Sequence, residues 1–459
     1  MAVAARTLEV RNPYDDRLVG EAPLLDAAGV TAALDAAAFP SLSRHERAEM
    51  LFATAERLAA ERESLAWLIT RESGLCLKDT THELERARDV FRFAAMEALR
   101  DDGEVFACDT SANGRDRRAH TLRLPVRLVA AITPFNHPLN QVAHKVAPAI
   151  AVGAPMVLKP SERTPLSALR LAEVLYASGL PRSAFQVVCG NPAEVAEAML
   201  AHPAVEVLSF TGGVAVGKSL AARLGYRRAV LELGGNDPLL VLEDADLDEA
   251  AALAVSGAFA NSGQRCTAVK RILAVEEIAD QLVERIVART ETLRSGDPAD
   301  PSTDVGTVID AEAAARIAAR VEAAQAAGAR LLAGGGRDGA LVPPTVLDQV
   351  RPDMELVATE TFGPVAPVIR VRDLDEAIAV ANSTPYGLSS GVCTFDWRAI
   401  ARCVRELRAG TVNVREVPGF RTELTPFGGI GDSGLGVKEG VREAMRAMTY
   451  TKLYTLPWS

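Results

Sequence analysis

The chain has 459 residues, 48% of them hydrophobic, and a formal net charge of −10 at pH 7. That length buries a large core and calls for at least two domains, and the acidic balance excludes non-specific nucleic-acid binding. No run of about 18 apolar residues occurs, and "MAVAARTLEVRNPYDD" turns polar too soon for a signal peptide, so a cytoplasmic protein with no membrane partner is expected.

The first third reads as helical. "SLSRHERAEMLFATAERLAAERESLAWLI" opens with Ser43 and carries Glu46 three residues on, a capping box, and Leu51, Ala55 and Leu58 follow at helical spacing. A second helix covers "TTHELERARDVFRFAAMEAL". In "EVFACDTSANGRDRRAHTLRLPV" two short strand-like runs flank the turn signal Asn113-Gly114, which predicts a projecting hairpin. From Val126 short apolar runs alternate with helical stretches: "VRLVAAIT", "APMVLKP", "AFQVVCG", "VEVLSFTGG" and "RRAVLELGG". Continuous apolar strands separated by helices predict a parallel sheet covered on both faces. A second series begins near Asp237, with "VKRILAV", "PVAPVIRV", "SSGVCTF" and "GTVNV", so the fold class is α/β with two such domains. The tail "RAMTYTKLYTLPW" alternates like an edge strand and, with the hairpin, suits a subunit contact.

Two short motifs carry chemistry. "GGVAVGKS", Gly212 to Ser219, fits the phosphate-loop pattern G-x-x-x-x-G-K-S. It reads either as a nucleotide triphosphatase loop or as a glycine-rich turn that approaches any phosphate, a dinucleotide's included. Against the first, no apolar strand ends in a magnesium-binding acid, and "LLVLEDAD" is better read as a helix start at Asp246. The second motif is "NSGQRCTAVKR", with Arg265 directly before Cys266. A cation beside a thiol favours the thiolate, the nucleophilic form, so Arg265 either serves the sulfur or reads a charge on the substrate. The other cysteines, Cys76, Cys108, Cys189, Cys393 and Cys403, are scattered with no CxxC pair, so neither a disulfide framework nor a metal site is expected.

Seven motifs fall in order: "TPFNHPLN", "LKPSERTP", "FTGGVAVG", "LELGGNDP", "NSGQRCTA", "ETFGPVAPV" and "PFGGIGDSGLG". Together they resemble the aldehyde dehydrogenase superfamily, over about residues 12 to 450. The resemblance implies a Rossmann-like NAD-binding domain (1–102 and 126–232), an α/β catalytic domain (233–436) and a β-hairpin oligomerisation element (103–125 and 437–459), in a homodimer or homotetramer. It gives Cys266 the role of nucleophile, Asn136 that of oxyanion donor and Glu232 that of general base. It assigns NAD to Thr133, Pro134, Lys159, Ser161, Glu162, Gly212, Gly213, Gly217, Leu233, Glu360 and Phe362. Glu162 would accept from the adenosine ribose hydroxyls and repel a 2′-phosphate, and Gly213 stands where the family often has a serine.

For the substrate, Arg265, preceding the nucleophile, would lie in the substrate tunnel, where a planar fork suits phosphate, phosphonate or carboxylate. His137, Arg86 and Arg421 are its candidate partners in a pocket for a small anionic aldehyde, with Thr267 beside it. The plainer alternatives put Arg86 and Arg421 in solvent and pair Arg265 with an acid. "ITPFNHPLNQVAHKVAP", "GQRCTAVKR" and "REVPGFRTELTPFGG" are similar to the phosphonoacetaldehyde dehydrogenases of this superfamily. Glyceraldehyde-3-phosphate and lactaldehyde dehydrogenases are the alternatives.

Overall fold

The computed structural model describes residues 6–100, 103–436 and 439–458. The boundary residues 1, 102, 437 and 459 of the expected domains lie outside them. A five-stranded parallel sheet runs in the order Phe185–Val187, Met156–Lys159, Val129–Ile132, Val207–Thr211, Arg228–Glu232. Its central strands are apolar and buried on both faces because helices cover each side, as the unbroken apolar runs imply. Strand order reverses between Val129–Ile132 and Val207–Thr211. The carboxyl ends of those two strands therefore open a crevice, the place where such sheets bind ligands.

A seven-stranded sheet follows: Arg330–Ala333, Thr345–Asp348, Val365–Val371, Val269–Val275, Asp237–Val241, Ser389–Cys393, Thr411–Val414. Only its first pair is antiparallel. Its core gathers Leu239, Ile272, Leu273, Val346, Val368 and Val392 against the helix Leu247–Phe259. That helix is capped by Asp246, as read from the sequence.

The third sheet has three strands, Thr449–Pro457, Arg117–Pro125 and Val105–Ala107, all antiparallel. The hairpin exists, but its connection is long. Gly114 donates to Ser111 O and Arg115 to Cys108 O, and neither Asn113 nor Gly114 has positive φ, so the Asn-Gly pair does not form a tight two-residue turn. A further hairpin, Thr7–Arg11 with Leu18–Pro23, precedes the motifs and was not expected.

In the helical third, Ser43 and Glu46 form the capping box of Arg44–Ala60. The periodic stretch then breaks at Glu61 and resumes as Arg62–Ser73, so one expected helix is two. The next helix, Leu77–Ala98, buries Leu84, Ala87, Val90 and Phe91 against the helix Asn140–Val152. Glu83 on the first helix accepts from the backbone N–H groups of Leu139 and Asn140 at 2.8 and 2.9 Å, holding the N-terminus of the second. No helix among the described residues is long and apolar enough to cross a membrane.

The phosphate-loop reading of Gly212 to Ser219 is overturned. The helix Val214–Ala222 begins inside the motif, so Gly217 and Lys218 are helical and no loop remains to wrap a triphosphate. Lys218 instead pairs with Asp432 at 2.7 Å. Gly217 is there for packing, since a Cβ would lie 2.3 Å from Leu233 Cδ2.

Candidate active site

The residues before Cys266 form a turn that ordinary backbone resists. Asn261, Ser262 and Gly263 have φ of 60°, 52° and 68°. The two non-glycine residues cost about 1–3 kcal/mol each in that region, so neighbours must hold them. Asp79 Oδ2 accepts from Asn261 N at 3.0 Å. Asn261 Nδ2 donates to Asn136 O at 2.9 Å and to Gln264 O at 3.3 Å. Gly263 admits no side chain, because a Cβ would lie 2.1 Å from Gly363 O. The result brings Asn136 to the cysteine loop: its Nδ2 donates to Gln264 O at 2.8 Å, leaving the second amide hydrogen for an oxyanion.

Burial pushes the Cys266 thiol up to about 11. The cation that opposes this most is Lys270, with Arg421 behind it; Asp237 and Glu360 add to the rise. Adjacency in sequence thus does not make Arg265 the sulfur's main partner. Lys270 is buried, and its Nζ donates to the carbonyls of both Arg265 and Cys266 at 2.7 Å while pairing with Glu360 at 2.9 Å. It ties the nucleophile's loop to Glu360. Sequence reading missed it, although two consecutive cations in the apolar strand Val269–Val275 were a signal that buried charges there need partners.

Glu232 ends the strand Arg228–Glu232 and is buried, and neither of its oxygens has a hydrogen-bond partner. Burial, then the charge of Glu439, holds its carboxyl well above the usual range. Glu439 itself is paired with buried Lys145 at 3.3 Å, and Lys145 also donates to Ser209 Oγ at 2.9 Å. Glu439 has Lys145 against it and Glu232 has no bonded partner, so Glu232 is the one of the two that keeps its proton.

Arg86, His137, Arg265 and Arg421 line one cavity of about 530 Å³. The helix Leu77–Ala98 supplies Asp79, His82, Glu83 and Arg86 to its wall, at the three- and four-residue spacing of a single face. The segment 417–423 supplies the other side. Arg265 reaches under Gly419, where an added Cβ would sit 2.2 Å from its Nη2 and 2.6 Å from Thr267 Oγ1. Among the described residues, neither Arg265 nor Arg421 has an ion-pair partner within 4.0 Å. Arg421 stacks on Phe427, its Cζ 3.8 Å from the ring centroid, with Nη1 buried and unbonded. Arg86 differs: its Nε donates to Glu423 Oε1 at 2.5 Å. Burial lowers the basicity of His137 and of His82, and Glu83 Oε2 lies 3.7 Å from His137 Nδ1.

A second groove, of about 410 Å³, is lined by Ser161, Glu162, Arg163, Arg320, Glu360 and Phe362 among others. Its lining takes Phe135 from beyond the strand Val129–Ile132 and Ser161 to Arg163 from beyond Met156–Lys159. Lys159 Nζ pairs with Glu162 at 3.2 Å. Thr133 and Pro134 follow the strand Val129–Ile132, with Thr133 Oγ1 buried and unbonded. Gly212 packs on Phe210, while a Cβ at Gly213 would meet nothing within 4 Å, so the N-terminus of Val214–Ala222 faces open space. A ribose acceptor, an open helix N-terminus and a ring at Phe362 fit a dinucleotide.

Comparison with known proteins agrees with this arrangement. The family model described as "Aldehyde dehydrogenase family" matches residues 1–454. The chain is 36% identical over 455 residues to the 3-sulfolactaldehyde dehydrogenase of Priestia aryabhattai, covering 98% of this chain and 95% of that one. It is 36% identical over 453 residues to the sulfoacetaldehyde dehydrogenase of Neptuniibacter caesariensis, covering 98% and 99%. The NADP-dependent glyceraldehyde-3-phosphate dehydrogenase of Bacillus halodurans, solved with NADP, superposes with a TM-score of 0.96 at 36% identity, covering 99% and 96%. The braced turn before Cys266, the buried Glu232 and the groove at Glu162 thus lie within an end-to-end sequence match, and the chain belongs to the aldehyde dehydrogenase family.

Proposed function

We propose that this dehydrogenase oxidises a short anionic aldehyde to its carboxylate, with phosphonoacetaldehyde as substrate and NAD as acceptor. One observation carries the reading: two guanidinium groups without ion partners, Arg265 and Arg421, line the cavity beside the nucleophile's loop. Half-buried cations favour anions, and a fork on the residue adjacent to Cys266 suits a charged group on the carbon next to the carbonyl. Relatives named for sulfonated aldehydes support an anionic substrate. The relative solved with NADP supports a second reading, glyceraldehyde-3-phosphate with NADP. Glu162 at the groove supports NAD.

The chain's residues divide the work as follows. Cys266 gives its thiol proton to solvent, and its Sγ attacks the carbonyl carbon, forming a C–S bond as the C=O π pair moves onto oxygen to make an alkoxide. Asn136 Nδ2 donates to that alkoxide; loss of one such donor typically costs roughly 10²–10³ in rate. A nicotinamide dinucleotide bound in the groove supplies the hydride acceptor, and a thioester on Cys266 remains. Glu232 takes a proton from water as the water oxygen attacks the thioester carbon, and the C–S bond breaks to release the carboxylate and the thiolate. The same reading expects a homodimer or homotetramer joined through the exposed edge strand Thr449–Pro457, and a cytoplasmic location.

The test is NADH formation with phosphonoacetaldehyde, glyceraldehyde-3-phosphate, lactaldehyde and propanal, for the wild type and Arg265→Ala. Phosphonoacetaldehyde should have the highest kcat/KM, and Arg265→Ala should remove its advantage of about 10²-fold over propanal while propanal turnover persists. If uncharged aldehydes win in the wild type, the anionic substrate is wrong.

A further inference from the structure

The cavity holds more charge than its substrate sees. Glu423 lies on the wall formed by residues 417–423 and is buried. Its two oxygens are both engaged: Oε1 accepts from Arg86 Nε at 2.5 Å, and Oε2 lies 2.6 Å from His144 Nε2. His144 is itself fully buried on the helix Asn140–Val152, next to Lys145. These contacts, with Arg86 and Arg421, hold the Glu423 carboxyl far below the usual carboxylate range despite its burial. The pair is therefore ionic, and Arg86 faces the cavity with its charge already answered.

We propose that Glu423 sets how strongly the pocket prefers a dianionic aldehyde over a monoanionic one. The proposal rests on the anionic-aldehyde reading above and adds the residue that fixes the charge. With Glu423 present, Arg265 and Arg421 are the cavity arginines that have no ion-pair partner within 4.0 Å among the described residues. With Glu423 made neutral, Arg86 becomes a third. A unit charge added or removed at the wall of a partly desolvated cavity acts about twice as strongly on a dianion as on a monoanion of the same shape. Phosphonate and sulfonate are such a pair: both tetrahedral, both carrying three oxygens, differing by one charge.

The experiment compares kcat/KM for phosphonoacetaldehyde and for sulfoacetaldehyde at one pH where the phosphonate is doubly ionised. The quantity read is their ratio, in the wild type, Glu423→Gln, Arg86→Gln and the double variant. Glutamine keeps the shape and an acceptor for Arg86, so Glu423→Gln should raise the ratio about tenfold. Arg86→Gln removes one cation from the wall, leaves Glu423 with His144, and should lower the ratio by a similar factor. The double variant, which removes both charges, should return near the wild-type ratio. A purely structural role would slow both substrates together and leave the ratio flat in every variant, which overturns the proposal. If Glu423→Gln does not fold, the Arg86→Gln arm decides: a fall in the ratio supports the proposal and a flat ratio sinks it. A wild type that turns over propanal as well as either anion defeats the substrate reading itself, a result distinct from a flat ratio among anions.

Discussion

At the residue scale, Cys266 sets the sharpest expectations. Its thiol is raised from an ordinary 9.0 to about 11, so the free protein holds only about one thiolate in a thousand at pH 8. Alkylation by iodoacetamide should climb about tenfold per pH unit from pH 7 to 10, and at pH 8 run about a hundredfold slower than in the urea-unfolded chain. A plateau near neutrality would show a thiolate already formed. Glu232 shifts the same way, and the sign matters: a base whose carboxyl is raised is protonated at low pH and becomes competent only as pH climbs through that raised value. Glu232→Gln should therefore give a burst of NADH, one per active site, and then stall by about 10²-fold or more. Stopped-flow absorbance checks it, and an undiminished steady rate would remove Glu232 from the base role. The sequence singled out Cys266, Asn136 and Glu232 by motif. It did not reveal Lys270, Asp79 or Glu423: Asp79 and Glu423 meet an amide and a guanidinium from segments remote in the chain, and Lys270 meets carbonyls four and five residues back that only the folded turn aims at it.

At the element scale, helix Leu77–Ala98 serves two structures at once. One face is core; the adjoining face carries Asp79 to the nucleophile's turn, Glu83 to the start of Asn140–Val152, and Arg86 to the cavity. Only Arg86 was singled out in the sequence, yet the others precede it by seven and three residues, a spacing that already placed them on its side. Glu83 accounts for two helix-end N–H groups that would otherwise be buried without partners. Glu83→Ala should cost about 2 kcal/mol of stability, read as a lowered urea midpoint with an unchanged slope, and Glu83→Gln, which keeps an acceptor, should cost less. Equal stability of Glu83→Ala and the wild type would show that another group holds that end. Strands were the most legible elements, since apolar runs of four to seven residues between glycines have few other uses. The break at Glu61 and the long hairpin connection were not legible, because both depend on how one segment meets another rather than on local preference.

At the scale of the whole molecule, the two sheets meet where the chemistry is. Glu232 ends the last strand of the five-stranded sheet, and Cys266 lies just before a strand of the seven-stranded one. Contacts cross between them: Leu233 N donates to Ser433 O, and Asn136 Nδ2 to Gln264 O. Four of the seven motifs, "TPFNHPLN", "LKPSERTP", "FTGGVAVG" and "LELGGNDP", fall at the carboxyl ends of strands of the five-stranded sheet. The sequence carried no equivalent signal for the charge balance of the cavity, which is a sum over side chains from a helix, two loops and the turn. That division has a consequence for how such a protein changes over time. The turn at Asn261, Ser262 and Gly263 tolerates almost nothing, because its backbone is left-handed and Gly363 stands against it. Arg86 on the helix face and Arg421 within residues 417–423 stand on ordinary backbone and carry no such constraint. Lineages that take up a new aldehyde should thus diverge at the walls while inheriting the turn intact, so that the appetite of the enzyme drifts and its reaction does not.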